Sequence, residues 1–304
     1  MTDKKFILDT DLGDDIDDAY ALDLALERNL PLLGITTVFL QSEERARIAK
    51  KMLALYGKNL PVYFGMRGNR PVNGHCCQWT EDLESEAYAP DNETGKESDA
   101  ADFIVRCAKK YGKNLVVLAI GPLTNVAAAI EKDPEAMNGT GGLIMMGGDY
   151  ANQYAEWNIC CDVPAAKVVF SSGMEITAFG FEVTSRFVPG EKQQEFMKNM
   201  RGNAYKEYLS LLTQLWEDSK PADRKRICLH DVMVVRKAYE EYCDMQKIHV
   251  HLETENKYLY GFTANTDKFD LVGKRGEKEI SIAVDPDIEE IIGYEMNILG
   301  YKED

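Results

Sequence analysis

Residues 6–22 read FILDTDLGDDIDDAYAL, and the interpretation of the fold starts from this stretch. Its apolar start, residues 6–8, predicts a buried strand, and its Ala- and Leu-rich end predicts a helix over residues 17–28. Between them lie six carboxylates: Asp9, Asp11, Asp14, Asp15, Asp17 and Asp18. Because like charges repel and an unpaired buried carboxylate is costly, the cluster predicts a bound Ca²⁺ or Mg²⁺. The alternative is a solvated acidic loop in which one Asp caps the helix.

The composition is that of an ordinary folded protein, and its charge disfavours binding to polyanions. The chain has 304 residues, of which 45% are hydrophobic and 28% are charged. Its 35 basic and 51 acidic residues give a net charge of −16, which disfavours binding to nucleic acid and to anionic membranes. The sequence shows neither a signal peptide nor an apolar stretch long enough to span a membrane.

The seven cysteines contain no CxxC pair, so neither a zinc ribbon nor a disulfide framework is indicated. We therefore expect a reduced, cytoplasmic protein. Its two adjacent pairs, Cys76–Cys77 and Cys160–Cys161, are expected to be thiols in or near the core.

Strand-like and helical segments alternate over the first 190 residues, which predicts an α/β fold with a mainly parallel sheet flanked by helices. Ser42 is expected to cap a helix that runs to Tyr56. Residues 191–240 are predicted to be a helical excursion, and residues 246–284 a small antiparallel portion that includes strands 257–263 and 279–284. The further predicted strands are residues 32–39, 62–64, 115–120, 143–146 and 176–181. A single domain over residues 1–304 accounts for this pattern.

Four segments of the chain, in order, resemble one enzyme family. DTDLGDDIDDAYAL at residues 9–22 resembles the N-terminal motif of the inosine–uridine-preferring nucleoside hydrolases, usually DxDPGxDDAxAL. GPLTNVA at 121–127, MGG at 146–148 with AEWNICCDVPAA at 155–166, and LHDVM at 229–233 resemble later motifs of that family. The resemblance extends over nearly the whole chain and implies the family's Rossmann-like fold.

The resemblance also implies a Ca²⁺ site, with four protein ligands: Asp11, Asp18, the backbone carbonyl of Thr124, and Asp231. Asp11 would also be the general base that takes a proton from metal-bound water, and Asp9 would be a supporting acid. Such a cation would lower the pKa of its water and orient it at the anomeric carbon.

The resemblance assigns the ribose hydroxyls to Asp17, Glu156 and Asn158. Taken alone, Glu156 and Asn158 alternate and would also fit an extended segment that faces solvent. His230, beside Asp231, is the candidate proton donor to the leaving base, and a structural histidine is the alternative.

The chain departs from the family pattern at the metal loop. Three residues, Asp14, Asp15 and Ile16, stand between Gly13 and the Asp pair where the family usually has one. Asp14 and Asp15 would be extra ligands or solvent-exposed side chains.

The base end of the predicted site matches the family less closely. Gln41 stands where the family commonly has a sugar-binding Asn, and Asn152 is the candidate for its additional ribose-binding Asn. Trp157 is expected to be a pocket wall. In the helical excursion, three aromatic residues either close over the base or belong to an ordinary amphipathic helix: Tyr205, Tyr208 and Trp216.

The predicted function is hydrolysis of a ribonucleoside, or a related N-riboside, to ribose and free base by Ca²⁺-activated water. The expected partner is this small-molecule substrate, and the resemblance implies a homo-oligomer, a dimer or tetramer. Two alternatives stay open. One is a Mg²⁺-dependent phosphatase of the haloacid-dehalogenase type, to which DTDLG is similar. The other is a non-catalytic, metal-dependent binder of nucleosides or sugars.

Overall fold

A computed structural model of the chain describes residues 3–68, 78–152, 154–268 and 278–302. The Cys76–Cys77 pair lies outside the described residues. Within the described ranges, all strands belong to one sheet with the order β3-β2-β1-β4-β5-β6-β9-β7-β8. The strands are β1 (Lys5–Thr10), β2 (Leu32–Thr37), β3 (Val62–Phe64), β4 (Leu115–Ala119), β5 (Leu143–Met146), β6 (Ile176–Phe179), β7 (Asp244–Leu252), β8 (Thr263–Asn265) and β9 (Lys278–Val284).

Helices connect the strands and cover the sheet. The α-helices are α1 (Asp17–Glu27), α2 (Ser42–Tyr56), α3 (Ser98–Tyr111), α4 (Thr124–Lys132), α5 (Pro134–Asn138), α6 (Trp157–Cys161), α7 (Val163–Ser171), α8 (Phe181–Thr184), α9 (Glu191–Lys198), α10 (Ala204–Ser219), α11 (Val232–Lys237) and α12 (Ile288–Leu299). No helix in the ranges given above is long and apolar enough to cross a membrane.

The predicted parallel sheet is confirmed for the first six strands, which all pair in parallel. Their order, 3-2-1-4-5-6, is that of a doubly wound sheet, in which the strand order reverses between β1 and β4. Successive residues of β1 bury opposite faces: Ile7 packs in the core on one side of the sheet and Leu8 in the core on the other. Because ligands bind beyond the carboxyl ends of strands at such a switch point, the turn after β1 is the place where a site is expected.

The C-terminal strands are antiparallel only in part. β7 pairs antiparallel with both β8 and β9, whereas β9 also pairs parallel with β6. The strand predicted over residues 257–263 is wrong. Residues 257–260 form a turn in which Leu259 donates its N–H to the carbonyl of Asn256, and β8 begins only at Thr263.

Ser42 does not cap α2. The N-cap is Gln41, and the Ser42 hydroxyl donates instead to the carbonyl of Gly65, at 2.6 Å. In the helical excursion, Tyr205, Tyr208 and Trp216 are buried in the core beneath α10. The amphipathic-helix interpretation of these aromatic residues is therefore the one that the packing supports.

Candidate active site

A cavity of about 690 Å³ opens at the carboxyl ends of the central strands. Asp11 follows β1, Ile120 follows β4, Met146 ends β5 and Phe181 follows β6, and all four line this cavity. The cavity wall is strongly acidic. Its carboxylates belong to Asp11, Asp14, Asp15, Asp17, Asp18, Glu156 and Asp231.

Three carboxylates in this wall, those of Asp17, Asp18 and Asp231, have oxygens within 4.8 Å of one another. We call them the three-carboxylate cluster. Asp17 and Asp18 open α1, and Asp231 is the N-cap of α11, so two helix N-termini meet there. All three side chains are buried, and Asp18 also accepts a hydrogen bond from the Thr10 hydroxyl.

The electrostatics of the three-carboxylate cluster fit a divalent cation. Burial, followed by repulsion from neighbouring carboxylates, raises the pKa of Asp17, Asp18 and Asp231 well above the ordinary value. A hard dication removes that repulsion, since carboxylate oxygens are the ligands that such ions prefer. The cluster is therefore a candidate metal centre.

Asp11 lies one residue beyond β1 and faces the same cavity. Burial raises the pKa of Asp11 to about 7, although the guanidinium of Arg45 lowers it. Gly121 explains how the carboxylate fits. A Cβ at position 121 would lie 2.7 Å from Asp11 Oδ1 and 2.9 Å from its backbone nitrogen. The glycine of GPLTN therefore leaves room for the Asp11 side chain.

Asp9 lies beneath the cavity wall, inside β1. Its Oδ1 accepts hydrogen bonds from the Thr36 hydroxyl, at 2.6 Å, and from the Asn125 amide, at 2.8 Å. Its Oδ2 has no hydrogen-bond partner among the described residues. Burial raises the pKa of Asp9 to about 7 against the effect of these two hydrogen bonds. Asp9 therefore ties the GPLTN segment to β1.

Glu156 and Asn158 are not on an extended segment. Glu156 is the N-cap of α6: its carboxylate accepts from the backbone N–H groups of Asn158, Ile159 and Gly148 at 2.8–3.1 Å. Burial nevertheless raises the pKa of Glu156 to about 6. The Asn158 amide donates to the carbonyls of Ile120 and Met146, which fixes its side chain in the cavity wall.

Aromatic rings form the other wall of the cavity. Tyr154 stacks on Phe181 with 4.7 Å between ring centroids, and Phe181 stacks on His230 at 5.7 Å. Burial lowers the pKa of His230 to about 4, and its Nδ1 lies 2.9 Å from the Thr184 hydroxyl. Trp157 lies at the cavity mouth and is 49% exposed. The wall can therefore hold a flat, aromatic group beside a neutral imidazole.

Besides Asp9, three residues predicted for the site do not line the cavity within the part of the chain that the structure describes. Thr124 opens α4, and its hydroxyl donates to Asp162 at 2.9 Å. Asn152 is exposed, and its amide contacts Asp149. Gln41 is the N-cap of α2. The structure therefore does not bring Asn152 or Gln41 to the candidate site.

Sequence reasoning missed several contributors. Asn125 was visible in the GPLTN motif, directly after the Thr that starts α4. Arg45 was visible as a charge at an apolar position, since it shares its helix face with Ile48, Ala49 and Met52, all buried. Tyr154, Phe181 and Lys220 reach the cavity from separate segments, and no local pattern marks them.

Comparisons with known proteins agree with this geometry. The chain is 27% identical to the probable uridine nucleosidase 2 of Oryza sativa subsp. japonica, over 98% of this chain and 94% of the relative. A purine-preferring ribonucleoside hydrolase from Gardnerella vaginalis superposes with a TM-score of 0.79 and is 25% identical, over 97% and 98% of the two chains. A plant nucleoside hydrolase superposes with a TM-score of 0.81 at 23% identity, over 98% and 99%, and shows the shared fold.

The model of one family, described as inosine-uridine preferring nucleoside hydrolase, matches residues 6–292. The matched range includes Asp11, both helix N-termini of the three-carboxylate cluster, the Glu156 cap and the aromatic wall. The chain therefore belongs to the inosine-uridine preferring nucleoside hydrolases, a family of enzymes that hydrolyse ribonucleosides.

Proposed function

We propose that this chain hydrolyses the N-glycosidic bond of a ribonucleoside, or a related N-riboside, to ribose and free base at the cavity described above, with Ca²⁺ as its metal. The observation that carries the proposal is the three-carboxylate cluster, which lies beside Asp11 and opposite an aromatic wall. The cluster suits a cation, and the wall suits a nucleobase.

The proposed protein ligands of Ca²⁺ are two members of the three-carboxylate cluster, Asp18 and Asp231, together with Asp11 and the backbone carbonyl of Thr124. Asp17, the third member of the cluster, is assigned to the sugar. Ca²⁺ accepts six to eight oxygens, which leaves positions for water and for ribose hydroxyls. A bound Ca²⁺ would supply a water of lowered pKa as the nucleophile for the anomeric carbon.

The carboxylates then divide the work on the sugar. Asp11 takes the proton of the attacking water. Asp17, Glu156 and Asn158 accept hydrogen bonds from ribose hydroxyls through their side-chain oxygens, which fixes the ring relative to the nucleophile. Because the transition state of such a cleavage is oxocarbenium-like, the surrounding negative charge stabilises the positive charge that develops on the sugar. Asp9 supports the site from beneath, where its contact with Asn125 ties the GPLTN segment to β1.

His230 and the aromatic wall are proposed to receive the base. Tyr154, Phe181 and Trp157 offer ring faces on which a nucleobase can stack. The His230 ring lies beside them and, being neutral, supplies an N–H hydrogen bond to the departing base. Of the earlier alternatives, the phosphatase leaves Asp231, Glu156 and the aromatic wall without a purpose. The full set of acids at the cavity argues against a binder that has lost its catalysis.

The experiment that tests the proposal is the release of ribose from inosine, uridine, cytidine and adenosine. The purified protein is assayed with saturating Ca²⁺ and again after chelation. We expect turnover of at least one nucleoside, its loss with chelator and its return with added Ca²⁺. Absence of turnover on all four by the Ca²⁺-loaded protein contradicts the proposal. Phosphate release from a general phosphatase substrate with Mg²⁺ would favour the phosphatase instead.

We further propose a cytoplasmic enzyme built as one domain over residues 1–304 that assembles as a dimer or tetramer. The cysteines support the compartment, since no disulfide joins the five that the structure describes. The single sheet, which takes strands from both ends of the chain, supports the domain. Sedimentation measures the assembly directly.

A further inference from the structure

Arg45 is a fully buried arginine directly behind the metal loop. It lies in α2 at 0% exposure. Its Nε donates to the carbonyl of Phe39, at 2.9 Å, and its Nη1 donates to the carbonyls of Asp11 and Leu12. One guanidinium therefore holds both the backbone that directly follows the Asp11 side chain and the turn that follows β2.

The residue that balances this buried charge is Asp14. It belongs to the two-residue insertion, the lengthening of the segment between Gly13 and Asp17 from the family's usual one residue to three. Asp14 Oδ2 lies 2.5 Å from Arg45 Nη2, and the Asp14 side chain is one-third exposed. A buried guanidinium without a counter-ion would be strongly destabilising. The insertion that sets this chain apart from the usual family motif thus supplies the acid that Arg45 needs.

The rest of the inserted segment is held in place as well. Lys220 donates to the carbonyl of Asp14 at 3.3 Å, and the Gln78 amide donates to the carbonyl of Asp15 at 3.0 Å. The Asp15 carboxylate accepts from the N–H of Ile16 at 2.8 Å. These contacts direct the Asp14 side chain towards Arg45 rather than towards the three-carboxylate cluster.

We propose that Arg45 and Asp14 are positioning residues for the metal centre. Asp14 keeps the guanidinium buried in its fixed orientation, and the guanidinium holds the Asp11 and Leu12 carbonyls so that the Asp11 carboxylate faces the cation. The pair acts through the backbone of Asp11, and neither side chain is a proposed ligand of the metal. The proposal rests on the proposed metal site, and it assigns a purpose to an insertion that the family motif leaves unexplained.

The test is a calorimetric titration of Ca²⁺ into the full-length protein, compared among variants. Asp14→Asn removes the counter-ion, and we expect its Kd for Ca²⁺ to rise about 10- to 100-fold, as is usual when a partner of a ligand group is lost. Asp14→Glu restores the carboxylate and should recover most of the affinity. The matched control is Asp82→Asn. That substitution breaks the ion pair of Asp82 with Lys51, which lies on α2 as Arg45 does, at 2.6 Å. It should leave the Kd for Ca²⁺ within about twofold.

A purely structural role predicts a different result. In that case Asp14→Asn lowers the melting temperature in chelator without moving the Kd for Ca²⁺, and this outcome overturns the proposal. We expect a raised Kd for Ca²⁺ together with a lowered melting temperature in chelator, because Asp14→Asn also leaves the buried guanidinium without its counter-ion. The double variant Arg45→Met with Asp14→Asn removes both charges, so no unpaired charge stays buried to destabilise the fold. It should bind Ca²⁺ as weakly as Asp14→Asn, and wild-type affinity in it contradicts the proposal.

The titration needs no turnover, so it separates this inference from the proposed function. A wild-type protein that binds Ca²⁺ but cleaves no riboside contradicts the proposed function and leaves the comparison of Kd values intact. A wild-type protein that binds no Ca²⁺ overturns both.

Discussion

At the scale of single residues, the acids of the cavity differ in their surroundings. Burial favours the neutral form of Asp11, the guanidinium of Arg45 favours its charged form, and Gly121 leaves room for its side chain. Glu156 is held by three backbone N–H groups, so its orientation is fixed before any substrate arrives. These surroundings support the proposed reactive role of Asp11 and the proposed orienting role of Glu156.

We predict that Asp11→Ala lowers the rate of nucleoside hydrolysis by about a thousandfold or more, because it removes the general base and a proposed ligand together. The measurement is ribose release under saturating Ca²⁺. Asp82→Asn serves as the control, since Asp82 is an acid that lies outside the cavity lining. Near-normal rates in Asp11→Ala would refute the assignment.

His230 leads to a prediction about the leaving group. For substrates whose base departs poorly without a hydrogen-bond donor, His230→Ala should lower kcat about a hundredfold or more. A p-nitrophenyl riboside, whose leaving group is stable as an anion, should be cleaved at a nearly unchanged rate. Comparing kcat for inosine and for the nitrophenyl riboside in both proteins decides the point. An equal loss on both substrates would assign His230 a structural role.

At the scale of elements, the site is built from helix starts and from the ends of parallel strands. α1, α6 and α11 begin at the cavity, and each places a carboxylate at its N-terminus. The positive end of a helix favours negative charge, which offsets part of the repulsion among these acids. The β4–α4 connection then passes close behind Asp11 through Gly121.

We predict that Gly121→Ala destabilises the protein by about 1–3 kcal/mol, because the new Cβ would overlap Asp11. Denaturant unfolding measures the change. The matched control is Gly293→Ala in α12, where nothing lies within 4 Å of the new Cβ. That control should stabilise the protein by about 0.5–1 kcal/mol, since alanine forms helix better than glycine. Similar effects of the two substitutions would argue against the close contact.

At the scale of the whole molecule, cation binding should be visible as stability. The acids of the cavity repel one another in the folded protein, and only the folded protein brings Asp231 to the others. A ligand that binds only the folded state at a hundred times its Kd adds about 2.7 kcal/mol to the free energy of unfolding.

Ca²⁺ should therefore raise the melting temperature by about 5 °C over the chelated protein. Calorimetry or near-ultraviolet circular dichroism follows the transition. Asp18→Asn should lose most of this increase, whereas Asp82→Asn should keep it. A melting temperature that does not depend on Ca²⁺ in the wild-type protein contradicts the metal centre.

A buried acid outside the cavity lining, Asp23, makes stability depend on pH. Asp23 on α1 is fully buried, and burial raises its pKa from 3.8 to about 6, although the charge of Lys206 lowers it and that of Glu27 raises it again. The folded state thus holds a proton that the unfolded chain releases between about pH 4 and pH 6. Stability from this group is highest at low pH and falls as pH rises through 6.

We predict that Asp23→Asn stabilises the protein by roughly 3 kcal/mol at pH 8 and by much less near pH 4. The amide stays neutral at both values and avoids the cost of a buried charge. Urea unfolding of both proteins across this range gives the difference directly. A difference in the free energy of unfolding that does not change with pH would contradict the assignment.

The sequence by itself determined the parallel α/β order, the strand and helix that flank the metal loop, and the residue types of the site. These features are local: strand runs, helical spacing and clustered carboxylates act within a few residues of one another. For that reason β5 was predicted to its exact residues, whereas the turn at residues 257–260 was taken for a strand because its apolar residues suit either state.

Only the tertiary structure decided which residues meet. Asp231 joins Asp17 and Asp18 because α11 packs beside α1, and Arg45 finds Asp14 because α2 passes behind the inserted segment. The aromatic wall likewise collects Tyr154, Phe181 and His230 from three separate segments. Such partners depend on long-range packing, which no short stretch of sequence encodes by itself. The run of acids at residues 9–18 is thus visible in the sequence alone, whereas the different surroundings of its members are a property of the fold.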